Sequence, residues 1–169
     1  PKDNPFYNTS GAYKTIWSYG NRNPQGMDMH PLTGDVWATE HGPRGGDELN
    51  WIRPGINYGW PVITYGMNYD GTPWTDKTHM KGMEQPAHYW LPSIATAGID
   101  FYEGDAFPGW KYNLLATGMS AEEIQRIVIQ DKKVVHIETI LKKQGRVRDI
   151  ETGPDGLIYV ALNTRSPSS

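Results

Sequence analysis

The sequence predicts an all-β protein whose short strands are joined by ordered turns. The chain has 169 residues, among them 19 Gly and 13 Pro, the two residue types that most often build tight turns. It also has 10 Tyr and 7 Trp but only 3 Phe. Flat rings with a polar edge suit the partly exposed faces of sheets. Frequent turns and many such rings together favour strands over helices.

Repeated hairpin patterns support this fold class. Met27–Thr39 and Asp149–Ala161 each read as a strand, a turn with Pro and Gly, and a second strand, and Gly109–Thr117 is a looser relative. Leu114 and Leu157 occupy equivalent places 43 positions apart, close to the roughly 40–50 residues of a propeller blade. The spacing is typical of a β-propeller, and a β-sandwich with the same turn chemistry is the alternative.

The segment Ser120–Gln130 is open to two interpretations. Ser120 could cap a helix, since acidic residues follow it in the first turn. The runs Ile124–Ile129 and Val134–Leu141, separated by the turn Gln130–Lys133, instead predict a β-hairpin. We favour the hairpin because both runs are rich in β-branched residues.

Composition excludes several classes of function. The net charge is −3 and the basic residues are scattered, so nucleic acid is not an expected partner. No apolar run approaches the roughly 20 residues that cross a bilayer. The chain has no cysteine, which excludes disulfides and thiolate metal sites.

Two polar clusters flank the first predicted hairpin. Tyr19–Gly26 places Arg22 in a turn just before a strand, where its planar fork of donors could bind a carboxylate or could simply be solvated. Thr39–Glu48 surrounds Arg44 with Gly and Pro, which exposes backbone carbonyls beside acidic residues. Ca²⁺ accepts carbonyls and carboxylates, although a structural loop is the alternative.

The third cluster is Gly145–Asp149. Residues two apart in a strand share a face, so Arg146 and Arg148 are expected to project together. Two guanidinium groups on one face repel each other unless an anion lies between them. Either a small polyanionic ligand or a carboxylate of the protein, such as that of Asp149, would satisfy them.

Together and in this order, the clusters resemble the soluble pyrroloquinoline quinone (PQQ)-dependent aldose and glucose dehydrogenases of the glucose/sorbosone dehydrogenase family. The matching stretches are Ser18–Gly26, Trp37–Asn50, Asn57–Pro61, Asn68–Pro73, Pro92–Ala95, Arg146–Asp149 and Gly153–Gly156. The resemblance implies a six-bladed β-propeller of which roughly three blades, about half, are present. We therefore expect one partial propeller domain, 1–169, incomplete at its N-terminus, with a long loop insertion at 61–90.

The resemblance also implies a cofactor, a metal and their ligands. PQQ would contact Arg22, Asn23, Ser93, Arg146 and Arg148, with Gln25 and His41 as adjacent candidates, and the carbonyls of Gly42 and Pro43 would bind Ca²⁺. Arg22 would also stabilise charge that develops on the quinone during reduction. The implied reaction oxidises an aldose to a lactone by hydride transfer, and an external electron acceptor regenerates the quinone.

Two departures from the family pattern qualify this expectation. The family's general base is a His upstream of the Arg22 motif, but the first His here is His30. The glucose-specific branch has a Lys after the equivalent of Asn113–Leu115, whereas Ala116–Ser120 contains none, which favours the broader aldose branch.

These departures set the remaining expectations. This chain alone is expected to be inactive. A half-propeller has unpaired sheet edges that invite association, so we expect that the chain is a truncated piece, that two copies complete a ring, or that partner sequence is missing. The family implies a periplasmic or secreted location. A non-catalytic propeller that only binds ligands is the main alternative, and a calcium-dependent lactonase ranks last.

Overall fold

The computed structural model describes residues 1–163 and confirms the all-β prediction. Its ten strands, in chain order, are β1 (Pro24–Met29), β2 (Val36–Glu40), β3 (Asp47–Ile52), β4 (His88–Trp90), β5 (Thr96–Phe101), β6 (Leu114–Gly118), β7 (Glu123–Gln130), β8 (Lys133–Lys142), β9 (Arg146–Thr152) and β10 (Ile158–Asn163). No helix in residues 1–163 combines the length and apolarity that a membrane crossing requires.

The first sheet is an antiparallel meander with the strand order β1-β2-β3-β4. The hairpin predicted from Met27–Thr39 forms its first pair, with Met29 opposite Val36. Residues 53–87 connect β3 to β4, so this long connection stays within one sheet. The expected insertion, 61–90, overlaps the connection and extends through β4.

The second sheet repeats this order with β5-β6-β7-β8. Strands β7 and β8 are the hairpin favoured for the segment after Ser120, with Gln130 opposite Lys133 at the turn. Asp131 and Lys132 adopt positive φ angles of 49° and 63°, as a tight two-residue turn requires. The helical alternative is therefore wrong, because cross-strand pairing satisfies the backbone groups of this segment.

The third sheet consists of β9 and β10. This pair is the hairpin predicted from Asp149–Ala161, and its register shifts between Ala161 and Leu162. Val147 and Ile150 of β9 are both buried although they are three positions apart. The register shift accounts for this break in alternation, because an extra residue lets the strand change face.

Two hydrophobic clusters hold the three sheets face to face. The cluster between the first and second sheets includes Trp37, Leu49 and Leu114, and the cluster on the other face of the second sheet includes Leu115 and Val147. Consecutive residues of β6 therefore pack in opposite directions. This explains why all of β6 is buried, whereas a strand with one wet face would alternate.

The first strands of successive sheets lie side by side, β1 against β5 and β5 against β9. Glycine permits this close approach: a Cβ on Gly26 would collide with the Ala97 carbonyl, and one on Gly98 with the Asp149 carboxylate. Thr39 Oγ1 donates to the same Ala97 carbonyl at 3.0 Å. Face-to-face sheets with adjacent first strands are consistent with a propeller-like fold.

Candidate functional site

Arg22 lies in the turn that enters β1 and reaches across to the loop after β2. Its Nη1 donates to the carbonyls of His41, at 3.1 Å, and Gly42, at 2.9 Å. The guanidinium carbon also lies 5.2 Å from the centre of the Trp60 ring. The side chain is thus held between a carbonyl-lined loop and an aromatic face, where cation–π attraction adds to the hydrogen bonds.

The loop after β2 turns tightly around Gly42 and Pro43, both of which are buried. A Cβ on Gly42 would collide with the carbonyls of Gly45 and Gly46, so only glycine fits. Gly45 and Gly46 have φ angles of 85° and 69°, a backbone conformation that also favours glycine. The Gly-Pro-Arg-Gly-Gly composition is therefore required by the compactness of this loop.

Asp47 joins this loop to the second sheet. Its carboxylate accepts the Gly42 amide at 3.2 Å, the Ser93 hydroxyl at 2.7 Å and the Thr96 amide at 3.2 Å. Asp47 is only 1% exposed. These donors replace the water that a buried carboxylate would otherwise lack. Asp47 thereby fixes Ser93 relative to the Gly42 loop.

His41 is half-buried beside the same loop. Its Nε2 lies 2.6 Å from the carbonyl of Thr96, the first residue of β5. A hydrogen bond to a carbonyl requires the proton on that nitrogen. His41 therefore connects the two sheets.

Arg148 stands at the register shift of β9 and is exposed. Its Nη1 lies 2.9 Å from the sulfur of Met119, in the turn that leads into β7. Arg146, two positions earlier, is half-buried, and Val147 between them is buried on the opposite side. Asp149 uses its carboxylate to accept the amide of Ile150 at 3.1 Å.

Asn23 and Gln25 form an exposed rim next to Arg22. Gln25 Nε2 donates to Asn23 Oδ1 at 3.0 Å and to the Pro24 carbonyl at 3.1 Å. Both side chains are exposed and bonded to each other. They are available to a ligand that covers this end of β1.

Contacts bring most of the predicted site residues to one end of the sheets. One hydrogen-bonded group contains Arg22, His41, Gly42 and Ser93. Arg22 donates to the carbonyls of His41 and Gly42, and Asp47 links Gly42 to Ser93. The group continues from the Ser93 carbonyl to Ser120, the neighbour of Met119, at 3.3 Å.

Arg148 joins the group only through Met119. Arg146 shares its strand. Pro43 packs beside Gly66, so that a Cβ there would collide with its ring. Arg146, Arg148 and Pro43 therefore lie at the edge of the hydrogen-bonded group.

Three guanidinium groups at this end of the molecule have no direct ion-pair partner within the described structure, although the carboxylates of Glu40, Asp47 and Glu48 lie at the same end. Among residues 1–163, the ion pairs involve other cations, and none includes Arg22, Arg146 or Arg148. The acceptors for Arg22 are neutral carbonyls and the acceptor for Arg148 is a thioether. These guanidinium groups keep their positive charge uncompensated by direct pairing, which suits the carboxylates of a quinone such as PQQ.

Few groups at this end of the molecule could ligate a cation. Within the described part of the chain, no three His, Asp or Glu side chains cluster as metal ligands. A calcium site here would therefore depend on backbone carbonyls, as predicted for Gly42 and Pro43. The Gly42 carbonyl already accepts from Arg22, but its oxygen has a second lone pair that fits a cation.

From the sequence, two carboxylates at this end were interpreted only as acidic residues beside the Gly-Pro loop. Glu40 is 4% exposed and accepts from the Arg22 amide at 2.5 Å and from the side-chain amides of Asn21 and Asn50, each at 2.9 Å. Glu48 lies on the neighbouring strand in the same cleft as Arg22. In the sequence, Glu48 was marked only by its position directly after Asp47, at the second residue of β3.

The profile of the glucose/sorbosone dehydrogenase family matches residues 1–168. The chain belongs to this family. The family match extends over all three sheets and includes every residue of the site described above.

Individual relatives of this family support the assignment. Aldose sugar dehydrogenase YliI of Escherichia coli is 45% identical over 169 aligned positions, which cover 98% of this chain and 46% of that protein. A crystal structure of a glucose dehydrogenase superposes with a TM-score of 0.93 at 43% identity and covers 98% of this chain and 49% of its own. The PQQ-bound aldose sugar dehydrogenase of Streptomyces coelicolor has a TM-score of 0.68 at 25% identity, over 96% of this chain and 43% of its own. The chain spans about half the length of these relatives.

Proposed function

We propose that this chain supplies the cofactor-binding half of a calcium- and PQQ-dependent dehydrogenase that oxidises aldoses to lactones. One observation carries the proposal: Arg22, Arg146 and Arg148 have no carboxylate partner among residues 1–163, and contacts connect Arg22 and Arg148 at one end of the sheets. A ligand with several carboxylates would satisfy them. Family membership, a relative named aldose sugar dehydrogenase and a PQQ-bound neighbour support the same choice.

The residues of the site take complementary roles in this proposal. Arg146 and Arg148 would pair with cofactor carboxylates. Ser93 donates its proton to Asp47, so its hydroxyl oxygen would lie nearby as an acceptor. Arg22 would place its guanidinium where negative charge grows as the quinone is reduced. When bound, PQQ accepts a hydride from the sugar, and the electrons then pass to an external acceptor.

Calcium would bind to the carbonyls of Gly42 and Pro43 in the compact loop. The loop fits this role because glycine packing and the Asp47 hydrogen bond fix the Gly42 peptide in one orientation. A cation on these carbonyls would orient the quinone and polarise its carbonyl oxygen.

Proton removal from the sugar is assigned to no residue of this chain. His41 is the only His among the proposed cofactor contacts, and its Nε2 is bonded to the Thr96 carbonyl at 2.6 Å. His41 thus links the two sheets, and the segment before Arg22, where the family resemblance places the general base, contains no His. We therefore expect no sugar oxidation by this chain alone.

The architecture proposed for the whole protein is a six-bladed propeller. The three sheets of residues 1–163 would be two complete blades and part of a third. The half-length match to relatives agrees with this count. Association of two copies into a ring remains a prediction from unpaired sheet edges, and a periplasmic or secreted location remains a prediction from the family resemblance.

A direct test is a titration of the chain with PQQ, followed by absorbance and tryptophan fluorescence, with calcium or with a chelator. We expect saturable binding that needs calcium and weakens at least about tenfold in Arg148→Ala, since one charge-assisted contact is worth roughly 1.5–3 kcal/mol. Arg44→Ala is the matched control, because Arg44 is exposed and bonded only weakly, to the Tyr69 carbonyl at 3.3 Å.

The outcomes of this titration separate the proposal from its alternative. Equal weakening by both substitutions would indicate a general charge effect and would contradict a specific site. Absence of any spectral change at saturating PQQ and calcium would favour the non-catalytic binding module.

A further inference from the structure

We infer that Glu40 is a positioning residue that aims Arg22 across the site by holding the backbone of its turn. The inference rests on the proposed role of Arg22 as a cofactor contact and adds the group on which that role depends. Glu40 ends β2, whereas Arg22 precedes β1, and the side chain of Glu40 extends from one strand end to the other.

The evidence is the set of donors that converge on one carboxylate. Oε2 accepts the amide of Arg22 at 2.5 Å and lies 3.4 Å from the amide of Asn23. Oε1 accepts the side-chain amides of Asn21 and Asn50, each at 2.9 Å. Because every partner is a donor, both terminal side-chain atoms at this position must accept hydrogen bonds. A carboxylate has two accepting oxygens, whereas an amide has only one.

The contact pattern separates positioning from charge neutralisation. Glu40 binds the main chain of Arg22, and the guanidinium is left free to reach the carbonyls of His41 and Gly42. A direct ion pair would instead have consumed the positive charge that an anionic ligand needs. Because the backbone of the turn is fixed, the Arg22 side chain loses less conformational entropy when it becomes ordered against a ligand.

Glu48 provides a matched control inside the same sheet. It lies directly opposite Glu40 in the β2–β3 register and accepts from the same Asn50 amide, at 3.1 Å. Of these two carboxylates, only Glu40 accepts hydrogen bonds from the Asn21–Asn23 turn. Glu48→Gln therefore replaces a neighbouring carboxyl group by an amide, as Glu40→Gln does, without releasing the turn.

The first test measures Arg22 in the cofactor-free chain, where its accessibility is followed by the rate of phenylglyoxal modification and peptide mass spectrometry. We expect Glu40→Gln to accelerate modification of Arg22 about fivefold, the effect of losing one net hydrogen bond, and to leave Arg44 unchanged. Glu48→Gln should leave Arg22 at the wild-type rate. Asn21→Ala, in the half-buried surface turn, removes one donor to Glu40 without burying a new polar group. It should accelerate the modification of Arg22 less than Glu40→Gln does. This variant keeps the test available if Glu40→Gln folds poorly.

The second test is a double-mutant cycle on PQQ affinity in the presence of calcium. Glu40→Gln should weaken binding about tenfold when Arg22 is present, as supporting residues of a site commonly do, and less than about twofold in an Arg22→Ala background. Equal losses in both backgrounds, or an unchanged Arg22 modification rate in a folded Glu40→Gln protein, would overturn the inference. If wild-type protein fails to bind PQQ, the proposed function fails, and the modification rates alone judge the positioning role.

Discussion

Glu40 and Glu48 face each other across β2 and β3, and the amide group of Asn50 donates to both carboxylates. The two acids differ in their surroundings, since Glu40 is saturated with donors while Glu48 borders the cleft beside Arg22. Burial, and secondly the nearby Glu40 carboxylate, raise the pKa of Glu48 to about 7. The pair therefore couples protonation to folding at this end of the molecule.

Glu48→Gln should remove a pH dependence of stability. A carboxyl whose pKa rises from 4.5 to about 7 on folding binds its proton more tightly in the folded protein than in the unfolded chain. Stability is therefore lost as pH rises through this window and stays level above it. We expect the variant to match the wild type near pH 5 and to exceed its free energy of unfolding by about 2 kcal/mol at pH 8. Urea unfolding at both pH values, without calcium, measures this.

The control for that experiment is Glu103→Gln, which neutralises an exposed carboxylate remote from the cleft. Its difference from the wild type should be the same at both pH values. If the stability difference between Glu48→Gln and the wild type did not grow between pH 5 and pH 8, Glu48 would not carry the effect.

Asp47→Asn should destabilise the protein more than loss of any one of its partners. The carboxylate accepts from Gly42, Ser93 and Thr96, and an amide would turn one acceptor into a donor that faces these donors. We expect a cost of about 2–4 kcal/mol for Asp47→Asn and about 1 kcal/mol for Ser93→Ala, both from urea unfolding. A larger loss in Ser93→Ala would mean that the hydroxyl, and not the carboxylate, organises the loop.

Met119→Lys tests the charge at Arg148. Met119 is 7% exposed and its sulfur lies 2.9 Å from the guanidinium, so a lysine there would bring a second cation close to Arg148. Like charges and burial of the ammonium should cost on the order of 2 kcal/mol at low salt. Citrate, a tricarboxylate, should restore part of that loss by binding between the two cations. Urea unfolding with and without citrate, at constant ionic strength, measures both effects.

Met119→Leu is the comparison for this prediction, because it loses the sulfur contact but adds no charge. Citrate should stabilise the lysine variant more than the leucine variant. Equal responses to citrate would indicate that no anion site exists between residues 119 and 148.

Local patterns were sufficient to predict three of the hairpins. The hairpins β1/β2, β7/β8 and β9/β10 all fall where alternating runs flank turn residues. Strand pairing across a short turn depends on residues that are neighbours in sequence, which explains this success. The long connection at 53–87 overlaps the insertion predicted at 61–90, whereas the double-sided burial of β6 carries no comparable local signal because it depends on which sheets pack together.

The site divides in the same way. Its arginines and its Gly-Pro loop were recognisable as short motifs, whereas the organising roles of Glu40, Asp47 and Met119 were not. Asp47 is 46 positions from Ser93 and 49 from Thr96, and Met119 is 29 positions from Arg148. Contacts at such separations arise only when different sheets meet.

The sequence by itself determined the all-β class, the short hairpins and the family to which the chain belongs, since these depend on local alternation, turn chemistry and motif order. Only the tertiary structure decided which donors surround each buried carboxylate and which guanidinium groups remain unpaired. The physical reason is that a strand specifies the face on which a side chain lies, whereas its partners come from whichever sheet is packed against that face.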